Sequence, residues 1–254
     1  MLYHSPEPQQ ATTTVDDLQA FPPTAVIGNY FDPTSGKYLI FAGPGAQPAL
    51  WDSYLEGARR SYRQHGVESA IEYAEVRDGR STALFVVAVD AVGHVVGGLR
   101  VQSRLTGPEQ AHAMREWAGR PGTAEMRAQI ADRLPSGVIE VKAVWADHDT
   151  DHRSALIAAL ARAFVHAMDL LGVRYALCTA AQHAVSRWQT SGGVVATDVA
   201  AVAYPDERYR TVLMWWDREQ IADAITTDQY VALAGESDLL FHRVAAVPTL
   251  SSVA

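Results

Sequence analysis

Residues 137–217 constrain the fold more than any other stretch, because strand-like and helix-like runs alternate there. Val138 to Trp145 reads as a strand, Ala146 to His152 as a turn, and Arg153 to Leu171 as a helix. A strand from Val173 to Thr179 and a short helix from Gln182 to Gln189 follow, and then two strands, around Val194 to Val202 and Tyr209 to Trp216. Two strands joined through a helix of this length are expected to lie parallel and side by side, since only a long crossover returns the chain to the same end of a sheet. The long helix carries its own signals. Leu156, Leu160, Phe164, Ala167, Met168 and Leu171 recur at three- and four-residue steps and make one face apolar. Asp149, Thr150 and Asp151 are N-cap candidates, and Gly172 stands where a left-handed C-cap is expected. The helix start therefore points at the turn after Trp145, where unpaired backbone N–H groups can hold an anion.

The rest of the chain dresses this run. Residues 1–23, rich in Pro, Gln, Thr and Ala, read as a mobile arm. The expected organisation is a flexible extension over 1–36, one domain over 37–217, and a helical extension and tail over 218–254. Lys37 to Ala42 reads as a strand, and Gly43 to Pro48 as a plain turn, because two prolines remove the donors that a nucleotide loop needs. Pro48 to His65 reads as a helix with Leu50, Trp51, Tyr54, Leu55, Ala58 and Tyr62 on one side and the basic cluster Arg59, Arg60 and Arg63 beside them. Val67 to Val76 is a second helix or an extended segment. Thr82 to Asp90 and Val95 to Gln102 form an antiparallel hairpin, and the paired glycines of Val96-Gly97-Gly98-Leu99-Arg100 imply a bulge or a close approach of other groups. Short helices are expected at Pro108 to Ala118, Thr123 to Leu134, Arg218 to Thr226 and Tyr230 to Ala234.

Bulk properties exclude several functions. A net charge of -8 gives no electrostatic case for a nucleic-acid binder. No run approaches the length of a membrane span and residues 1–10 lack the order of a signal peptide, so the cytoplasm is the expected compartment. One cysteine, Cys178, cannot form an internal disulfide, and inside an apolar strand it is expected to be a buried, inert thiol. His148 and His152, interleaved with Asp147, Asp149 and Asp151, sit on a turn and not on one helix face, so no metal is expected. There is no Gly-x-Ser-x-Gly elbow.

The order of strand, helices, Gly-Gly hairpin, strand, long helix, strand, short helix and terminal hairpin resembles the GCN5-related N-acetyltransferase superfamily over roughly Tyr38 to Trp216. Within it the chain looks most like the branch of acyl-homoserine-lactone synthases and N-acyl amino acid synthases. Gly97-Gly98-Leu99-Arg100 matches that branch's Gly-x-Leu-Arg, and Glu140 matches a glutamate on its next strand. The resemblance implies a single α/β (α+β) domain. Its mixed twisted sheet would have a central splayed parallel strand pair, an N-terminal antiparallel hairpin and a C-terminal one.

It also implies acyl transfer from a phosphopantetheine thioester, acyl-CoA or an acylated carrier protein, to the amine of a small molecule, without a metal. Val144, Trp145 and Ala146 would meet the pantetheine arm, and His152, Arg153, Ser154 and Ala155 its phosphate. Glu140 would orient or deprotonate the amine, or else pair structurally with Lys142 or Arg100. Arg100, His183 and Trp188 would face substrate.

Two departures qualify the expectation. The turn 147–155 has three carboxylates and no glycine, which opposes a nucleotide diphosphate and penalises a carrier protein's single phosphodiester less. Trp188 stands where many relatives place a proton-donating tyrosine, and indole cannot serve as an acid; His183, one turn earlier, is either a substitute or an ordinary surface or helix-start residue. Arg59, Arg60 and Arg63 are then either a landing site for an acidic carrier or a solvated face. An ordinary acetyl-CoA-dependent N-acetyltransferase and a catalytically silent binding domain are the alternatives.

Overall fold

The structure, a computed structural model, describes residues 27–242. Nine strands build one sheet in the order β1-β2-β3-β4-β5-β6-β9-β7, with β8 also paired to β9. The N-terminal half is an antiparallel ladder of β1 (Gly28–Asp32), β2 (Lys37–Ala42), β3 (Thr82–Val89), β4 (Val95–Gln102) and β5 (Val138–Ala146). β6 (Tyr175–Ala181) joins β5 in parallel, and β9 (Arg210–Asp217) joins β6 antiparallel, with the two-residue strands β7 (Val194–Val195) and β8 (Val202–Ala203) on its far side. The mixed sheet, its central parallel pair and its flanking antiparallel hairpins are those that the resemblance implies.

Alternation along each strand sorts the core onto two faces. One face carries Leu84, Val86 and Ala88 of β3, Val212, Met214 and Trp216 of β9, and the apolar side of the long helix. On the other face, α1 (Pro48–Gln64) covers Phe85, Val87 and Val89 through Trp51, Tyr54 and Leu55. The short helix α2 (Tyr73–Val76) follows it. The second half of that face lies under α3 (His112–Glu116) and α4 (Thr123–Arg133), which enclose Trp117, Met126 and Ile130 against Leu177 and Leu213. Between the two halves of this face runs a seam.

The long helix, α5 (Arg153–Leu171), has the predicted bounds, and Gly172 ends it at φ 60° with N–H bonds back to Asp169 and Met168. Leu156, Leu160 and Phe164 are fully buried, each burial contributing about 1.5–3 kcal/mol. Its start differs from expectation. Asp149, Thr150 and Asp151 do not cap it; the N-cap is His152, held left-handed at φ 56° without a side-chain bond, because the turn leaves the acidic residues facing solvent. Contrary to the expectation that no run approaches a membrane span, this helix is long and apolar enough to cross one, but 61% of that window is buried inside the protein, as in a core helix.

The paired glycines of β4 allow close approach from both faces. A Cβ on Gly97 would lie 3.2 Å from Leu156 of α5, and one on Gly98 would lie 2.4 Å from the Val86 carbonyl and 2.9 Å from Tyr54 of α1.

Several boundaries are corrected. Residues 27–36, expected as part of a flexible extension, include β1, and Tyr30 packs in the same core as α5. Gly28, Asn29 and Asp32 disguise this strand, which tertiary contacts hold. The mobile arm expected over 1–23 lies outside the described residues. The segment read as one strand from Val194 to Val202 is two short strands separated by a turn. After α6 (Val185–Gln189), β9 and α7 (Ile221–Ala224), the chain ends its described part in α8 (Thr227–His242), sixteen residues long. This helix is an integral part of the domain: Leu233 and Leu240 enter the core, and Glu236 is buried against α5.

Candidate active site

The seam opens into a cleft because β5 and β6 part company. Their parallel register covers only Val138↔Tyr175, Ile139↔Ala176 and Glu140↔Leu177. On its other side β5 bulges: Gly98 pairs with Trp145 and Arg100 with Lys142, so β5 fits one more residue into the interval than β4. Ala143 takes the extra turn at φ 49°, and its carbonyl accepts a 2.9 Å bond from the Tyr54 hydroxyl. Ala143 and Val144 thus stand outside both ladders and line the gap, the Ala143 carbonyl being taken by Tyr54.

The cleft holds about 290 Å³. From Lys142 to Ala146 its strand wall runs about 13 Å at ~3.3 Å per residue. At its floor is a buried charge network. Glu116 of α3 meets the Lys142 ammonium and the His112 Nδ1 (2.8 Å) through Oε1, while Oε2, equally buried, has no partner. Lys142 also faces Thr179 Oγ1 at 3.4 Å and Glu140 Oε1 at 3.8 Å. His112 continues the network through Nε2 to Glu72, 2.9 Å away. His112, Glu116 and Glu140 bring ligand-type atoms within 4.8 Å of one another, but the ammonium of Lys142 stands where a cation between the carboxylates would be.

Glu140 stands where the structural alternative puts it, near Lys142, and not at the cleft surface. Its carboxylate is fully buried and accepts the backbone N–H groups of His112 (2.6 Å) and Ala113 (3.0 Å), the first of α3. It does not line the cleft. It does share a face with Lys142, as strand alternation requires, but its oxygens hold a helix start in place. Burial raises its carboxyl above the usual range against the pull of Lys142 and His112. For Glu116 burial acts in the same direction, yet Lys142 and His112 outweigh it and hold the carboxyl down at about 2. Lys142 in turn is kept charged: burial would lower it, but Glu116 and Glu140 raise it beyond the usual ammonium range.

These two carboxyls have opposite consequences in acid. Glu116 is depressed, so its stabilisation is present above the ordinary value of 4.5 and is lost as pH falls through about 2. Glu140 is raised, so its contribution is largest below 4.5 and is lost as pH rises through its folded value. The gap from 4.5 to about 2 is worth about 3 kcal/mol at roughly 1.36 kcal/mol per pH unit. Glu116→Gln is therefore expected to flatten the fall of the urea midpoint between pH 4.5 and pH 2; an unchanged acid slope would show that other groups set it.

Of the other residues expected at the site, Val144, Trp145, Ala146, Arg153, His183 and Trp188 all line the cleft. Ser154, Ala155, His152 and Arg100 do not. His152 supplies the left-handed turn before α5 that a glycine would otherwise supply. Arg100 is buried beside β3, 3.4 Å from Thr82 Oγ1. Trp188 forms a wall, stacked on Phe164 at 5.6 Å. Cys178 lines the cleft with its thiol pushed well up by burial, as an inert thiol should be.

The acidic turn opposes an anion less than its composition suggests, since Asp147 pairs with Arg60 at 3.4 Å and Asp149 is fully exposed. The same pairing, with Glu68 holding both Arg59 (3.0 Å) and Arg63 (2.8 Å), means that the basic cluster is not an unpaired patch.

Sequence spacing did not mark Glu116, Arg187, Tyr62, Tyr204 and Tyr209 as site residues, yet all reach the cleft. Arg187 adjoins Trp188 on one short helix, while the others come from segments distant in sequence that only the tertiary fold gathers. Arg153 and Arg187 stand beyond the C-terminal ends of the parting strands, at the mouth, and neither has an ion-pair partner among the described residues. A second cavity, about 400 Å³ beside β7, has its polar groups engaged: Arg174 pairs with Asp217, Gln129 bonds Asp198, and the Arg133 guanidinium lies over the Tyr175 and Trp215 rings.

Uncharacterized proteins of Mycobacterium tuberculosis (strain H37Rv) and Mycobacterium bovis are each 46% identical over 209 residues, 82% of this chain and 80% of theirs. FeeM, an N-acyl amino acid synthase from uncultured soil microbes, superposes with a TM-score of 0.54 at 14% identity, over 72% of this chain and 92% of that one. BjaI, a CoA-dependent acyl-homoserine lactone synthase, reaches a TM-score of 0.46 at 14% identity, over 77% and 87%. No protein-family model matches the chain.

Proposed function

The chain belongs to one family with these mycobacterial proteins and has the fold of the GCN5-related N-acetyltransferases, and from that premise we propose that it is an N-acyltransferase, moving an acyl group from a phosphopantetheine thioester to a small-molecule amine. The observation that carries the reading is the polarity of the cleft: two guanidinium groups at its mouth with no ion-pair partner among the described residues, a carboxylate oxygen at its floor with none either, and between them the β5 residues that stand outside both ladders.

Arg153, Arg187 and the N-terminus of α5 suit the phosphate end of the donor. The peptide groups of Ala143 to Ala146 suit the amides of its arm and, near Val144, the carbonyl oxygen that gains charge during attack. Glu116 Oε2 suits the acceptor nitrogen. A carboxyl held at about 2 is too weak a base to take a proton near neutrality, so Glu116 anchors and orients the amine. An ammonium acceptor gives one proton to water; the neutral nitrogen then attacks the thioester carbon, the N–C bond forms and the C–S bond breaks. The second proton leaves the nitrogen for the departing thiolate. Burial keeps the Tyr62 and Tyr204 phenols protonated as hydrogen-bond donors beside this path.

The donor is acyl-CoA in preference to a carrier protein, because Arg59, Arg60 and Arg63 are already matched by Glu68 and Asp147. The test is thiol release from short- and medium-chain acyl-CoA in the presence of an amine panel. Arg153→Ala combined with Arg187→Ala is expected to raise the KM for acyl-CoA at least tenfold and to leave kcat within a few-fold, since both act on binding away from the reacting carbon. Absence of thiol release with every acyl length and amine would leave the silent binding domain as the better reading.

A further inference from the structure

The floor of the cleft carries information about the acceptor beyond its being an amine. Glu116 lines the cleft with a fully buried side chain, and its Oε2 has no partner among the described residues although Oε1 has two. A buried carboxylate oxygen left open in this way asks for a donor from a ligand. Tyr62, Tyr204 and Tyr209 line the same space, and aromatic rings accept both an ammonium and an apolar substituent.

What the floor lacks is a partner for a ligand's negative charge. Of the three long cationic side chains lining the cleft, Arg153 and Arg187 stand at the mouth, where the acyl donor's phosphate is placed. The third, Lys142, bonds Glu116 and Thr179 and stands 3.8 Å from Glu140, so its one charge is already shared by two buried carboxylates. An amino acid anchored by its nitrogen on Glu116 would bring its carboxylate, two bonds away, as a third anion onto the single ammonium of Lys142 that Glu116 and Glu140 already share. The same molecule without the carboxylate meets no such penalty.

We propose that the acceptor is a primary amine that carries an aromatic or apolar substituent and no α-carboxylate, anchored by Glu116 Oε2 among Tyr62, Tyr204 and Tyr209. The inference rests on the acyl-transfer reading but concerns binding, so it can be tested apart from turnover. Tyramine and L-tyrosine differ only in the carboxylate and serve as the probe pair. In calorimetric titrations of the full chain, tyramine is expected to bind at least tenfold more tightly than L-tyrosine. Glu116→Gln is expected to remove at least tenfold of the tyramine affinity and to change that for L-tyrosine little. The wild-type comparison decides by itself if the variant fails to fold.

Equal affinities, tighter binding of L-tyrosine, or binding of neither probe would overturn the proposal. Thiol release with the same two acceptors reads the acyl-transfer step separately. Turnover with L-tyrosine alone would sink the carboxylate-free acceptor and leave the transferase. Tyramine binding without turnover on any acceptor would do the reverse.

Discussion

Replacing Glu140 by alanine is expected to destabilise the protein by about 3–5 kcal/mol, because it leaves a buried network short of one anion and a helix start short of its acceptor. The His112 and Ala113 N–H groups, now bonded at 2.6 and 3.0 Å, would have no partner, and Lys142 would lose one of its two counter-charges. At roughly 2–4 °C per kcal/mol for a domain of this size, the melting temperature should fall by about 10 °C. The measurement is thermal unfolding of wild type and variant side by side. A melting temperature within 2–3 °C of wild type, together with loss of turnover, would instead return Glu140 to the chemistry that its position on β5 first suggested.

Arg162→Met should be of similar size, about 3–5 kcal/mol, at the other end of the molecule. The Arg162 guanidinium, on the buried side of α5, bonds Glu236 through Nε at 2.9 Å to both carboxylate oxygens and through Nη2 at 2.5 Å. It also holds Gln229 at 2.7 Å and Asp32 of β1 at 3.5 Å. His166 adds a 2.9 Å contact from Nε2 to the same glutamate. Burial would raise the Glu236 carboxyl, but His166 and Arg162 outweigh it and hold it low, so the anion persists in the folded state. Methionine keeps the volume and removes the charge, which leaves Glu236 and Asp32 as buried anions. Amide hydrogen exchange across Thr227–His242 and Gly28–Asp32 should accelerate before the rest of the sheet does. Uniform acceleration throughout would mean that α8 and β1 unfold only with the whole domain.

The parts of this architecture legible in the sequence are those set by local pattern. α5 and its Gly172 cap follow from apolar spacing, and the β3–β4 hairpin and β5 follow from β-branched runs broken by turn residues. What stayed hidden depends on partners far away in the chain. β1 is written with poor strand formers and exists because Tyr30 packs on His166 and Phe41. α8 has a thin apolar stripe and is held by a charge on α5. The cleft shows the same division. Trp145, Ala146 and Arg153 were accessible because they flank one strand–helix junction, whereas Glu116 lies 26 residues from the Lys142 it meets. Arg59 and Arg63 looked like an open basic face because nothing in helical spacing shows that Glu68 folds back after the Gly66 turn.

The bulge in β5 has a bearing on how the cleft responds to genetic change. Its strand wall between Ala143 and Ala146 offers peptide groups, and every residue type carries the same peptide group. Codon changes at Val144, Trp145 and Ala146 alter what projects from the strand and leave its N–H and C=O groups in place, proline aside, since it removes an N–H; Ala143, held at φ 49°, strains most larger side chains. A compound built as a short amide chain to lie along that wall would therefore engage a surface that escape mutations can barely edit, and resistance to it would have to arise elsewhere, at the side chains that close the two ends.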